Sequence, residues 1–380
     1  MVFVGTHRYQ LLGYNPIDAL RAIIADIKKK YKSFSTVFFV TGNEDIESVN
    51  SIIHEEFDDS ITLGINSKMF YNGIIGDGDT CLACVEDDDD LVVVPGLIEN
   101  VSKCPVRYIA DIEQSILDIC AGEDDTICLE YTTGGEELVV TTLNAAFAGS
   151  DIQLIGGSIN ASHEELVTAV FYEGVIYRDA CIYMFIKNLK GRIHIFDENL
   201  YERFNDTPHY ATKVDIEKRA LIEIDGKPAA DVIADALGVE KDNLVKQAIR
   251  NPLGRYIGDK KYIVAMHNLD ENGTLYNYKQ VNVNDILYIM KLEDYHKLYR
   301  ETLDKIKNDI ANIGFVISID CINRYRLYKM DNFLQEYIST WHNEIGNHFG
   351  MVSAGEQFCT QHINQAMVCA AFEKVYPDTF

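Results

Sequence analysis

GFVISIDCINRYRLYKMDNFLQEYISTWHNEIGNHFGMVSAGEQF, residues 314–358, is the stretch whose reading decides the fold. Phe315–Ile319 is a short apolar, partly β-branched run that suits a buried strand. The chain then leaves the strand at Cys321 and passes Arg324 on a polar loop. A helix is expected next, opened by Asn332 with Gln335 three residues on in the manner of a capping box. Leu334, Ile338, Trp341 and Ile345 form its core face, and Gly346 closes it because glycine takes the left-handed conformation at little cost. Phe349–Ala354 returns as a second strand and ends on Gly355-Glu356. If the two strands are parallel neighbours, Arg324 and Glu356 leave the sheet at one edge, where ligands of open α/β sheets bind.

The order Cys321-x-x-Arg324, helix, Gly350-x-x-x-x-Gly355-Glu356 resembles the C-terminal signature of the FIST family, the F-box and intracellular signal-transduction proteins. Gly226-Lys227-Pro228-Ala229 ahead of a helix and Asn251-Pro252-Leu253 ahead of a hairpin are similar to the start of that family's C-terminal domain. Leu154–Ser158, followed by Val167–Tyr177, is similar to the end of its N-terminal domain. The resemblance covers roughly residues 35–375 and implies a FIST N-like domain over 35–210 and a FIST C-like domain over 211–380, while the Asn15 cap and Pro16 at the first helical position predict a helical segment over 1–34. It also implies a sensory role, with amino acids or their derivatives as the ligand class. Two places depart from the family pattern: Leu63–Ser67 is a weak version of its Gly-Cys-Ser/Thr segment, and Asn364-Gln365-Ala366 has alanine where a hydroxyl residue is usual.

A chain of 380 residues exceeds the size, about 250–300 residues, at which one core stops growing, so two domains are expected. The boundary is placed near residue 210, after the Pro208-containing linker Asn205–His209. No apolar run approaches the roughly 18 residues needed to cross a bilayer, and no signal peptide is legible. The expected location is the cytoplasm. Nine scattered cysteines, several inside apolar strands, fit a reducing compartment. The balance of 34 basic and 59 acidic residues repels phosphate backbones and anionic lipid, which argues against nucleic acid and membrane surfaces as partners.

Along the chain, strands and amphipathic helices alternate. Each half runs hairpin, helix, strand, helix, strand, turn, strand, with Ile127, Gly149 and Val167 answering to Val316, Gly346 and Met367. This predicts a mixed α/β fold of two similar lobes, an internal duplication, with a ligand cleft between them.

Arg324, Glu356 and Cys321 make the sharpest constellation. An arginine fork binds a carboxylate or phosphate bidentately, and a glutamate beside it either holds the fork or takes an ammonium group. The bland alternative is that Arg324 and Glu356 pair with each other. Gly355, Gly157 and Ser158, at glycine turns on strand ends, complete the expected ligand-binding set. Cys321 with His348 offers a nucleophile and base, which makes a cysteine enzyme the alternative from another class. A haem-based gas sensor, with His348 or His267 as axial ligand, is the third reading, although no cofactor is expected. Cys81-x-x-Cys84 sits in a strand of period two, which turns the two thiols to opposite faces and rules out one shared metal. The acidic run Glu86–Asp90 reads as a solvated loop. The expected protein is a cytoplasmic sensor of a small molecule that passes its signal to a separate output protein.

Overall fold

The computed structural model describes residues 1–76, 78–87, 90–122, 124–160 and 167–374. Part of the acidic run, the start of the hairpin expected at Leu166 and the tail beyond Pro377 lie outside the described residues. Three times along the chain, runs rich in β-branched and aromatic residues alternate with amphipathic helices, and each time they fold in the same order. The first set is β1 (Val2–Gly5), α1 (His7–Leu11), α2 (Pro16–Lys30), β2 (Phe34–Thr41), α3 (Ile46–Glu56), β3 (Ile61–Asn66), the hairpin β4 (Met69–Tyr71) and β5 (Ile74–Gly76), and β6 (Thr80–Glu86). The second is β7 (Leu91–Glu99), α4 (Ile109–Ile119), β8 (Thr126–Thr132), α5 (Glu136–Ala146), β9 (Gln153–Ile159), the hairpin β10 (Val170–Tyr172) and β11 (Val175–Tyr177), and β12 (Ala180–Asn188).

The third set opens with β13 (Ile193–Asn199) and is then interrupted by an inserted sheet. That insertion holds β14 (Tyr201–Arg203), β15 (His209–Asp215), β16 (Ala220–Ile224), β17 (Lys227–Pro228), α6 (Ala229–Leu237), α7 (Leu244–Gln247), β18 (Leu253–Ile257), β19 (Lys260–Val264), β20 (Met266–Leu269), β21 (Leu275–Asn277) and β22 (Ile286–Leu292). The set resumes with α8 (Tyr295–Asp309), β23 (Ile313–Cys321), α9 (Ile322–Met330), α10 (Leu334–Ile345), β24 (His348–Phe358), β25 (Gln361–Ile363) and β26 (Ala366–Glu373).

The strand orders are β1-β6-β2-β3, β7-β12-β8-β9 and β13-β26-β23-β24. In each, only the last two strands run parallel, and helices bridge them because a parallel pair needs a long crossover. The hairpins join the sets in a ring. β10 pairs with β3, the end of β24 pairs with β9, and β4 pairs with the start of β24. The inner faces of all three sheets share one core, where Phe38 stacks on Tyr131 at 5.3 Å and meets Phe349 edge-on at 6.4 Å. The outer faces carry their helices over separate apolar layers. No helix among the described residues is long and apolar enough to cross a membrane.

The fold is of mixed α and β character, with β23 and β24 parallel neighbours as expected. Gly346 ends α10 at φ +87°, and Gly149 takes φ +90° at the matching place before β9. Other expectations are corrected. Arg324 lies on a helix, α9, rather than a polar loop, and Asn332 at φ +55° is the joint between α9 and α10 rather than a cap. Ile127 faces the shared core whereas Val316 and Met367 face the helices, so the residue-by-residue match between halves was out of phase. Apart from these corrections, residue 210 lies within β15, and β1 pairs with β6.

The ring closes where β4 meets β24, and Gly350 makes that contact fit. A Cβ there would stand 1.8 Å from the Phe70 ring. Gly350→Ala is expected to cost about 1–3 kcal/mol of stability by overpacking, read from the midpoint of urea unfolding. An unchanged midpoint would mean that Phe70 has room to yield.

Candidate functional site

Arg324 has no exposed side-chain surface. Its Nη2 donates to Glu198 Oε1 at 2.6 Å and to the Tyr337 hydroxyl at 3.4 Å, and its Nε donates to Asp320 Oδ1 at 3.2 Å. The register explains the two carboxylates: Glu198 and Asp320 both flank Met367 across β13, β26 and β23 and point beneath the helices. Burial pushes the Asp320 carboxyl up to about 6 against the pull of the guanidinium. Arg324 therefore ties a sheet edge to α9 and α10. It pairs with Glu198 and Asp320 rather than with Glu356.

Glu356 is equally buried. It accepts from the Ser353 hydroxyl at 2.5 Å and from the Ala366 N–H at 3.1 Å, and burial pushes its carboxyl up to about 8. Burial and the neighbouring Glu356 push the Cys321 thiol far above its ordinary range. The parallel register pairs Cys321 with Ser353 and His348 with Val316, so the thiol and imidazole stand five residues apart along the strands, roughly 16 Å. His348 Nε2 lies 2.9 Å from the Ser318 hydroxyl, its ring stacks 4.8 Å from Trp341, and burial pushes it down to about 3. Cys321 and His348 do not form a nucleophile–base pair. His348 is packed between Trp341 and Phe70, and His267 lies at the surface with its ring tilted 50° to that of Tyr278 at 4.8 Å. Cys81 faces the shared core and Cys84 the helix layer, on opposite sides of β6 as the period of two requires. Among the described residues no cluster of ligating side chains could hold a metal.

The polar side chains gather at the junction of the second and third sets. Glu130, Gly156, Gln357 and His362 form one lateral row across β8, β9, β24 and β25. Gly156 leaves space in that row, since a Cβ there would stand 2.4 Å from Glu130 Oε1. Gln357 Nε2 donates to Ser158 Oγ at 3.2 Å, and the Ser158 hydroxyl donates to Glu136 Oε1 at 3.1 Å. Gln357 Nε2 also lies 3.3 Å from His362 Nδ1, while Gln357 Oε1 has no partner among the described residues. Gly355 packs against His362, with its missing Cβ 2.4 Å from Cε1, and Gly157 pairs with Glu356.

The inserted sheet closes over this row. Arg219 Nη2 donates to Glu136 at 2.7 Å and to Glu137 at 2.6 Å, and its Nη1 donates to the Tyr278 carbonyl at 2.6 Å. Burial works against the Glu136 carboxylate, but His362 and the Arg219 guanidinium hold it well below its ordinary range. Burial lowers His362. Lys279 is buried, donates to the His362 carbonyl, and lies 5.3 Å from the Tyr262 ring centroid. Burial first, and Arg255 second, bring Lys279 down to about 7. Outside these groups opens a cleft of about 200 Å³, lined by Glu137, Thr141, Arg255, Lys279, Gln280 and Gln361 among others. A buried ammonium, a guanidinium and amide side chains around one cleft suit a carboxylate.

Of the six expected site residues, Ser158 and Gly355 touch this row through Gln357 and His362, while Gly157 faces Ile319 and Ser353 and Glu356 bonds Ser353 and the Ala366 N–H. Cys321 touches only Glu356 from that group, and Arg324 faces away. The reading of residues missed Glu136, Arg219, Arg255, Lys279, Gln357 and His362. The one signal for them was the glycine turn Thr132–Gly135, which delivers Glu136 to the start of α5. No functionally curated protein matches the chain. The family model of the FIST N domain matches residues 35–227 and that of the FIST C domain matches residues 229–359, together nearly the whole length, and the chain belongs to the FIST family.

Proposed function

We propose that this protein is a ligand sensor which takes a small carboxylate, an amino acid or a derivative of one, in the cleft between α5 and the inserted sheet. FIST domains are sensory domains of signal transduction, and the proposal gives that role a place in this chain. The observation that carries it is Lys279, a buried cation at the edge of a cleft, held by a carbonyl and an aromatic ring rather than by a carboxylate. A ligand carboxylate supplies the missing countercharge. The ligand's ammonium group meets Glu137 at the rim, and Ser158, Gln357 and Glu356 support the hairpin behind. The reading needs no cofactor.

A sensor must bind its ligand better in one arrangement than in another. Arg219 spans the two sides, from the inserted sheet to the first turn of α5, so a ligand between them alters the pull on the same helix. The signal then passes to a separate output protein.

The test is a thermal-shift screen of amino acids and small carboxylates. A ligand at a hundred times its dissociation constant adds about 2.7 kcal/mol, a rise of several degrees. Lys279→Met is expected to abolish the rise and to leave the unliganded melting temperature equal or higher, since it removes a buried charge. A full shift in that variant sinks the proposal. The pH dependence is a second check. An anion favours the charged form of Lys279, so affinity should fall as pH rises above about 7, by up to about tenfold per pH unit.

A further inference from the structure

The hairpin of β24 and β25 has a second cleft on its other side, about 240 Å³, facing the β18–β19 turn. Its apolar surface comes from Phe358, Ile363 and Tyr262, whose ring centroid also lies 5.3 Å from the Lys279 ammonium. The polar groups differ in kind from those around Lys279. Asp197 and Asp259 stand at this cleft and neither makes an ion pair among the described residues. Asn364, 1% exposed, directs its Nδ2 to the Ile363 carbonyl at 3.0 Å, with His362 Nε2 at 3.5 Å, and its Oδ1 has no partner among the described residues.

Two cations also face the cleft. Lys261 is engaged, by Glu293 at 3.0 Å and by the Tyr201 carbonyl. Lys260 is exposed in the turn, and its ammonium lies 5.4 Å from the Phe358 ring centroid. What the cleft offers is therefore an aromatic face, an apolar wall and acceptors, and the protein's own loosely held ammonium already rests there.

We propose that this cleft binds a primary ammonium on an aliphatic stem, an alkylamine or diamine, which takes the place of the Lys260 ammonium over Phe358. Its N–H groups meet Asp197, Asp259 and the free Asn364 oxygen, all acceptors, and its stem lies on Ile363 and Tyr262. A cation over an aromatic ring with carboxylates beside it is a recognised way of holding ammonium groups. Displacing Lys260 costs little, because its side chain swings from the turn into water. The site is separate from the carboxylate cleft and does not rest on it.

Calorimetric titration of the full chain with cadaverine, and with pentanediol as the uncharged match, tests this. Cadaverine is expected to bind saturably and pentanediol not to bind. Asp197→Asn with Asp259→Asn should weaken cadaverine about tenfold or more. Lys260→Met should strengthen it several-fold by removing the internal competitor, and Lys279→Met in the other cleft should leave it unchanged. All of the cleft's replaced side chains are exposed, so these variants keep the fold, which a thermal melt verifies. Equal binding of pentanediol, indifference to the paired aspartate change, or weaker binding on Lys260→Met overturns the proposal. Loss of cadaverine binding on Lys279→Met overturns it too, by moving the amine to the other cleft.

Discussion

Arg324→Ala is expected to lower the unfolding free energy by about 3–5 kcal/mol, the range found when one partner of a buried ion pair is removed. The substitution leaves Glu198 and Asp320 facing each other under α9 and α10 with no cation between them, and among the described residues each already has one carboxylate oxygen without a partner. It also takes a cation from between the rings of Tyr328 and Tyr337, whose centroids lie 5.4 and 5.9 Å from the guanidinium carbon. Arg324→Lys should recover only part of the loss, because an ammonium cannot reproduce the fork that reaches both carboxylates. Adding Glu198→Gln to Arg324→Ala should recover part of it by another route, since it removes one uncompensated charge. Urea unfolding of the four proteins reads all three outcomes. A small loss in Arg324→Ala, with ligand response gone, would return this residue to the binding site and remove it from the framework.

How much of this was legible follows from which forces leave a pattern. The short apolar runs of β23 and β24 and the 3.6-residue stripe of α10 are local patterns, and both are legible in the sequence. α9 was missed because INRYRLYKM has no apolar stripe: its buried side includes Asn323, Arg324 and Tyr328, held by ion pairs and rings rather than by aliphatic packing. The ring of three sets was invisible for a different reason. Its joints are hairpin pairings between residues as far apart as Tyr71 and Phe349, and the insertion between β13 and α8 breaks the repeat just where the eye would compare it. The two cations that line the cleft from that insertion, Arg255 and Lys279, have nothing nearby in sequence to link them to Glu137 or His362. The three sets share one order of elements, whereas the sequence reading expected two similar halves.

Glu130→Gln is expected to gain stability on the wild type as pH rises, by on the order of 4 kcal/mol between about pH 4.5 and pH 8. Glu130 is wholly buried on β8, where the Cys181 thiol donates to Oε2 at 3.3 Å and Oε1 has no partner among the described residues. Burial pushes its carboxyl up to about 8 from an ordinary 4.5. The sign is then fixed. Between those two values the native state keeps a proton that the unfolded state has released, so the contribution of Glu130 is fully present below about pH 4.5 and is lost as pH rises toward 8. Glutamine carries no such proton, and it fits the same space opposite Gly156. Glu356, raised in the same way, and His348, lowered by burial, also tilt the wild-type curve, but both remain in the variant. The difference between the two unfolding curves therefore isolates Glu130. At pH 5 the variant should be no more stable than the wild type, and at pH 8 clearly more so. A difference that stays flat from pH 5 to 8 would show that Glu130 loses its proton in the folded state as easily as in water, and that the row from Glu130 to His362 is reached by solvent along its length.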